Sequence, residues 1–132
     1  MGENKNMAEQ RKNKRYGTSA KVRIEGTQDE NTMLKDISVT GCRVECPSYA
    51  EVEINSQYNM EIIPESTAKI GAFKLLVESK WIKTGGNSYE IGFFILKSPE
   101  GKQFQRYVDY LSWRYSQGNS ITGENNVGLP LG

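Results

Sequence analysis

Two groups of residues in the first third of the chain have types and spacings that suit an anionic ligand. Arg11 and Arg15 stand four residues apart in RKNKRYG, and Asp36, Ser38 and Gly41 follow in DISVTG. Guanidinium groups can hold a phosphate in a fork or donate two hydrogen bonds to the O6 and N7 atoms of guanine. A carboxylate can accept two parallel hydrogen bonds, such as those that the N1–H and N2–H₂ groups of guanine donate. These residue types therefore suit a ligand that carries both phosphate and a paired-donor edge.

The sequence offers little for catalysis or metal binding. It contains no histidine and two cysteines, Cys42 and Cys46, in the segment CRVEC. In a strand both sulfurs would face the core, roughly 13 Å apart, which is too far for a disulfide. Zinc would need two further Cys or His ligands, which this sequence lacks. We predict buried, reduced thiols, no metal, no catalytic residue and no enzyme activity.

The positive charge is concentrated near the N-terminus. Residues 1–24 hold seven Lys or Arg against two Glu, so they carry +5, whereas the whole chain carries +1 and the remainder therefore −4. This distribution indicates an anionic partner that binds locally, rather than a protein that binds nucleic acid over its whole surface. A solvated basic tail is the alternative explanation for the two arginines.

Size and hydropathy indicate one soluble domain. A chain of 132 residues with 36% hydrophobic residues can bury a core without disulfides. We find no apolar run near the roughly 18 residues that cross a bilayer, and no apolar stretch typical of a secretory signal. We therefore expect a cytoplasmic protein without membrane insertion.

Short segments of alternating hydrophobicity must position the polar groups. Such alternation predicts β-strands. The segments cover residues 20–25, 32–38, 42–46, 57–63, 73–81 and 89–95. The turn TGGNS joins the last two as a tight hairpin. Many short strands with turn signals predict a mainly β fold, a small antiparallel barrel or sandwich.

The last predicted element is an amphipathic helix over about 98–117. Ser98 is the expected N-cap, Pro99 the first helical residue, and Gly118 the residue that ends the helix. An apolar stripe predicts packing against the barrel, although a partner-binding surface is the alternative. The stripe consists of Phe104, Tyr107, Val108, Leu111 and Tyr115. Trp113 and Arg114 fall outside it and are expected to be exposed.

We divide the chain accordingly. Residues 1–10 lack apolar periodicity and are predicted to form a flexible N-terminal tail. Residues 11–117 form the folded domain with its C-terminal helix. The Gly- and Asn-rich residues 118–132 are predicted to form a flexible C-terminal tail.

The ordered pair RxxxR and DxSxxG resembles the PilZ domain family, whose members are receptors for the bacterial second messenger cyclic di-GMP. The similarity covers most of the chain, since RxxxR precedes the first predicted strand and DxSxxG lies at the turn between the second and third predicted strands. A strand with Trp81 leads to YEIGFF, where Gly92 and Phe93 resemble a later family signature. RxxxR alone is a weak signal, whereas the ordered pair is specific. The resemblance implies a PilZ-like antiparallel β-barrel of six to seven strands with a C-terminal α-helix.

The resemblance also implies a role for each motif residue. Arg11 and Arg15 would clamp guanine Hoogsteen edges and phosphates as the tail folds over the ligand. Asp36 would accept the paired guanine donors, Ser38 would contact a phosphate or base, and Gly41 would permit the turn. A turn in which Asp36 and Ser38 bond their own backbone is the alternative for that pair.

Three further residues are candidates for the same site. Trp81 either stacks on a base or belongs to the core, and Arg43 is either a ligand contact or a solvated surface charge. Gly92 belongs to the later signature. Gln10 stands where another arginine would add a further clamp, so one ligand molecule or a stacked pair remains possible.

The resemblance implies a non-catalytic cyclic di-GMP sensor with no further cofactor. Binding would order the segment from Arg11 to Arg15, and an unidentified effector protein would respond. Family outputs include control of motility, biofilm matrix and virulence. The alternatives are a small barrel that binds nucleic acid and a PilZ-like interaction module that no longer binds nucleotide. Pathway and oligomeric state do not follow from the sequence.

Overall fold

A computed structural model describes residues 14–27, 31–47 and 51–122, with side chains up to Gln117. Arg11 and the predicted N-terminal tail lie outside the described residues. The strands are β1 (Tyr16–Gly17), β2 (Lys21–Ile24), β3 (Met33–Ile37), β4 (Gly41–Cys46), β5 (Gln57–Ile63), β6 (Phe73–Gly85) and β7 (Ser88–Lys97). A 3-10 helix (Ser66–Ala68) follows β5, and helix α1 (Gly101–Thr122) follows β7.

Six strands close into an antiparallel barrel. Hydrogen bonding runs in the order β3-β2-β5-β6-β7-β4, and a further β3–β4 pairing closes the ring. Strand β1 pairs only with β3, outside the ring. The mainly β fold, with a six-stranded barrel, one extra strand and a C-terminal helix, confirms the prediction from the sequence.

Apolar side chains from all six ring strands fill the barrel, as their alternation predicts. Cys42 and Cys46 are both buried, as predicted. The core side chains from the ring are Val22, Ile24, Leu34, Ile37, Cys42, Val44, Cys46, Met60, Ile62, Phe73, Leu75, Val77, Ile91 and Phe93.

Single-residue bulges change which face two strands present. The β3–β4 register shifts between Leu34 and Asp36, and the β6–β7 register shifts between Ser79 and Trp81. Because an extra residue reverses the alternation of side chains, Ser79 is buried while Trp81 lies on the outer face. The predicted alternation from Phe73 to Trp81 is therefore wrong at its last residue, and Trp81 is not a core residue.

Helix α1 differs from the prediction at both ends. The carbonyl of Glu100 accepts the first helical hydrogen bond, from Phe104 N–H at 3.1 Å, so Glu100 stands at the N-cap in place of Ser98. Its carboxylate accepts a hydrogen bond from Lys74 N–H of β6 at 2.8 Å, which ties the start of the helix to the barrel. The helix continues to Thr122, beyond the predicted end at Gly118.

The apolar stripe of α1 packs on the barrel for most of its length. Phe104, Tyr107, Val108 and Leu111 are buried. Tyr115 is instead partly exposed and contacts the ring of Tyr16 in β1, with 6.0 Å between ring centroids. Within the described part of the chain, no helix combines the length and apolarity of a membrane span.

Residues off the stripe have different environments. Trp113 is 59% exposed, as predicted. Arg114 is half-buried, because it donates hydrogen bonds to the Glu65 carboxylate at 2.7 Å and to the Gly17 carbonyl at 3.1 Å. The prediction of a freely exposed Arg114 is therefore wrong.

Candidate ligand-binding site

Four of the candidate residues lie in one row across the barrel. Asp36 of β3 stands opposite Arg43 of β4, Arg43 stands opposite Gly92 of β7, and Gly92 stands opposite Trp81 of β6. Directly opposed residues point to the same face of a sheet, and this row is on the outer face. The bulges in β3 and β6 create this alignment, so residues that are distant in sequence share one surface.

Two arginines hold the carboxylate of Asp36. Arg15 Nη1 lies 3.1 Å from Oδ1, and Arg43 Nη2 lies 2.8 Å from Oδ2. The Asp36 side chain is only 14% exposed, whereas that of Arg15 is 52% exposed. Arg15 therefore covers Asp36 from the solvent side and is the more exposed of the two arginines.

Arg43 is shared between two carboxylates. Its Nη2 contacts Asp36, and its Nη1 lies 3.4 Å from Oε1 of Glu90 on β7. Its Nε is buried and has no hydrogen-bond partner in the described part of the chain. Arg43 is therefore not a solvated surface charge. It belongs to a chain of ion pairs that links Arg15, Asp36, Arg43 and Glu90.

The Trp81 indole lies against Gly92. A Cβ atom at Gly92 would stand 2.2 to 2.6 Å from three bonded atoms of the indole, so only glycine leaves room for the ring here. The indole is 41% exposed. An exposed aromatic ring of this kind can stack on a nucleobase.

The length of the row limits what a ligand can contact. Because the indole covers Gly92, its stacking face is two interstrand spacings, roughly 10 Å, from the backbone of Asp36. A ligand that contacts both must extend across Arg43. Phe94 borders the same surface, since it is 55% exposed and stands opposite Gly41.

Ser38 does not face the outer surface with Asp36. It is buried, and its hydroxyl accepts hydrogen bonds from the backbone N–H groups of Thr40 at 3.2 Å and Gly41 at 3.1 Å. The resemblance implied a contact of Ser38 with a phosphate or base, but Ser38 instead closes its own turn, which for this residue is the alternative described above. Its part in the site is to fix the β3–β4 turn.

Gly41 is required for packing rather than for a positive φ. A Cβ atom at this position would approach the Phe93 carbonyl to 2.8 Å and the Arg15 Nη2 to 3.5 Å. Gly41 is also not among the described glycines with a positive φ. The absence of a side chain lets β4 pair closely with β7 and lets Arg15 lie across the turn.

Strand β1 and helix α1 position Arg15. Tyr16 pairs with Ile37 and Gly17 with Asp36, so the residue before β1 is placed beside the Asp36 carboxylate. The Gly17 carbonyl accepts a hydrogen bond from Arg114, and the Lys14 ammonium lies 4.0 Å from the centre of the Tyr115 ring. The described half of the RxxxR motif is therefore held between β3 and the helix.

The structure thus brings together Arg15, Asp36, Arg43, Trp81 and Gly92 on one surface. Arg11 lies outside the described residues, so its position relative to this surface is not described. Glu90 was missed by the sequence analysis. It stands two residues before Gly92 in YEIGFF, so the alternation of β7 places it on the same face.

Three comparisons with known proteins bear on this surface. A model of the PilZ domain family matches residues 9–112. The fold is similar to the solved structure of the Bacillus subtilis inhibitor of motility (MotI/DgrA), with a TM-score of 0.62 and 17% sequence identity. That match covers 78% of this chain and 49% of the other, so this chain spans about half of that protein. A search of curated proteins gives no significant match.

The family match covers most of the chain and includes both motifs and the strand with Gly92. Proteins with this domain are generally receptors and effectors of the cyclic di-GMP type rather than enzymes. The chain belongs to the PilZ domain family.

Proposed function

We propose that this protein is a non-catalytic receptor for cyclic di-GMP. The observation that supports this most directly is the meeting of Arg15 with Asp36, which are 21 residues apart in sequence and 3.1 Å apart in space. The Arg15 guanidinium, which can bind phosphate, therefore lies beside the Asp36 carboxylate, which can accept the paired guanine donors. The stacking face of Trp81 lies on the same surface.

Binding involves an exchange of partners at Asp36. A guanine edge that donates to both carboxylate oxygens takes the place of Arg15, which turns to a phosphate or to the Hoogsteen edge of the base. Arg11 joins Arg15 on the ligand as the preceding segment becomes ordered. A second base stacks on Trp81, which suits a dinucleotide better than a single nucleotide.

The expected affinity is moderate. Five or six hydrogen bonds to charged groups, at roughly 1.5–3 kcal/mol each, are opposed by at least about 4 kcal/mol for association and ordering. The balance corresponds to a dissociation constant on the order of 1 µM. Because phosphate contacts with exposed arginines are screened by salt, the affinity falls with ionic strength.

The signal passes to a separate effector protein. The ligand neutralises the arginines beside β1, and the ordered segment changes the surface that a partner contacts. Motility is one candidate output, since the similar Bacillus subtilis structure is by name an inhibitor of motility. Biofilm matrix and virulence control are other outputs of this family.

Calorimetric titration with cyclic di-GMP, beside a single-stranded oligonucleotide, tests the proposal. We expect binding of the dinucleotide only, with one or two molecules per chain. Arg15→Ala and Asp36→Ala should each weaken binding at least about tenfold, while the circular dichroism spectrum stays unchanged.

Arg23→Ala serves as a matched control, because Arg23 pairs with Glu61 outside this row, at 3.7 Å. It should leave the affinity within about twofold, as distant exposed pairs contribute little. Undiminished binding by both Arg15→Ala and Asp36→Ala would place the site elsewhere. Preference for the oligonucleotide would support the nucleic-acid alternative.

A further inference from the structure

Arg43 adopts a pose that leaves part of its hydrogen-bonding capacity unused. Its contact with Asp36 is made by Nη2, at 2.8 Å, and its Nη1 is directed to Glu90 at 3.4 Å. Its buried Nε has no partner within the described residues. A buried N–H group without an acceptor costs free energy, so some contact must hold Arg43 in this pose.

A more favourable pose with Asp36 is chemically available. Arginine and aspartate commonly pair through two parallel N–H···O bonds, and a side-on pair through Nε and Nη2 would satisfy the buried Nε. Such a pair would occupy both oxygens of Asp36. The N1–H and N2–H₂ groups of guanine need those same two oxygens. Arg43 is therefore an internal competitor for the acceptor edge of Asp36.

Glu90 is the group that opposes this competition. It stands two residues before Gly92 on β7, opposite Glu45 of β4. The Glu45 carboxylate is engaged elsewhere, with Lys35 at 3.5 Å and with the Ser88 hydroxyl at 2.8 Å. Of these two neighbouring carboxylates, it is thus Glu90 that binds the Arg43 guanidinium.

We propose that Glu90 is a positioning residue that holds Arg43 in single contact with Asp36 and so keeps the paired acceptors of Asp36 available to guanine. This inference rests on the proposed function. Arg15, which also contacts Asp36, does not need a similar restraint. It is exposed and leaves Asp36 for the phosphate or base when the ligand arrives.

The test measures cyclic di-GMP affinity by calorimetry in Glu90 variants. Glu90→Ala removes the acceptor of Arg43, which then pairs side-on with Asp36, so the dissociation constant should rise about five- to tenfold. Glu90→Gln keeps a weaker acceptor and should have an intermediate effect. Glu61→Gln removes the same charge from the pair with Arg23 and should change the affinity less than about twofold.

A second background separates positioning from a general effect on the fold. In Arg43→Ala the competitor is absent, so adding Glu90→Ala should have no further effect on affinity. An equal loss in both backgrounds, or no loss in either, would overturn the inference while leaving the proposed function intact. Failure of the unchanged protein to bind cyclic di-GMP would overturn the proposed function and this inference with it.

Exchange of the Arg43 Nε–H with solvent, followed by NMR in the protein without ligand, gives an independent reading. The side-on pair expected in Glu90→Ala gives Nε–H an acceptor, so its exchange should slow several-fold relative to the unchanged protein. Unchanged or faster exchange would contradict the proposed movement of Arg43, whatever the binding data show.

Discussion

At the scale of single residues, the site depends as much on missing side chains as on charged ones. Gly92 leaves the space that the Trp81 indole occupies, and Gly41 lets the Arg15 side chain cross the β3–β4 turn. Both glycines adopt ordinary backbone conformations. Their role is to leave space for a neighbouring side chain on the outer face of the barrel.

Gly92→Ala should therefore displace Trp81 and weaken ligand binding. The added methyl group would overlap the indole, which must move toward solvent, and overpacking of this kind costs about 1–3 kcal/mol of stability. We expect the dissociation constant for cyclic di-GMP to rise at least about fivefold. Tryptophan fluorescence reports the displacement and calorimetry the affinity.

Gly85→Ala is the matched control, since a Cβ atom there meets nothing within 4 Å. It should leave fluorescence and affinity unchanged. If Gly92→Ala bound the ligand as tightly as Gly85→Ala does, then Trp81 would have no part in binding.

The sequence indicated which residues gather on this surface better than how they contact one another. Because each motif is local in sequence, the two motifs led us to expect Arg15 and Asp36 at one site, but not the ion pair between them. The inward hydroxyl of Ser38 and the contact between Arg43 and Glu90 depend on turn closure and on pairing between β4 and β7. Neither of these two features can be recognised from the residues nearby in sequence.

At the scale of secondary-structure elements, the short strand β1 needs support from outside the sheet. It has two residues and a single strand neighbour, β3. Helix α1 provides the support, since Arg114 bonds both the Gly17 carbonyl and the Glu65 carboxylate. The helix thus stabilises the segment that carries Arg15.

Arg114→Ala should loosen β1 while leaving the barrel folded. Two hydrogen bonds of a charged group would be lost from a partly exposed position, so we expect a loss of about 1–2 kcal/mol in the free energy of unfolding. Amide exchange of Thr18, whose N–H bonds the Lys35 carbonyl at 3.2 Å, should accelerate more than exchange in β6 or β7.

Arg106→Ala provides the comparison on the same helix, because its guanidinium contacts only Gln103 among the described hydrogen bonds. It should leave Thr18 exchange unchanged. Equal exchange of Thr18 in both variants would mean that pairing with β3 alone holds β1.

The six ring strands were predictable because alternation of apolar and polar residues persists over four or more residues in each. Two features could not be predicted from alternation. The two residues of β1 are too few to show a period, and a bulge adds one residue without changing which residue types occur. Only the pairing with β7 shows that Lys80 is the extra residue and that Trp81 therefore points outward.

At the scale of the whole molecule, buried acids link stability to alkaline pH. Burial raises the pKa of the Cys42 thiol from 9.0 to about 12. Burial also raises the pKa of the Tyr107 hydroxyl, and the neighbouring Glu65 carboxylate adds to this effect. In both cases the folded protein keeps a proton that the unfolded chain releases at lower pH.

These two groups should therefore leave the stability unchanged between about pH 7 and 8 and lower it as the pH rises toward 12. For Cys42 alone, the free energy of unfolding at pH 10.5 should be lower by on the order of 2 kcal/mol. The reason is that the thiol ionises at this pH in the unfolded chain but stays protonated in the folded protein. Urea unfolding between pH 7.5 and 11 measures the slope.

Cys42→Ser should be less stable at pH 7.5, because it buries a hydroxyl in an apolar core, but its stability should fall less steeply above pH 9. Its affinity for cyclic di-GMP should change little, as the side chain faces the barrel interior. Parallel slopes for the two proteins would show that Cys42 does not contribute to the alkaline transition.

The bulges in β3 and β6 also determine which genetic changes this surface tolerates. Because side chains alternate along a strand, deleting the extra residue of either bulge would turn every later side chain of that strand to the opposite face. Replacing Lys80 removes one half-buried side chain with its contacts to Asn55 and Glu78, whereas deleting it would send Trp81 inward. Deleting Lys80 should therefore disturb this surface more than replacing it does.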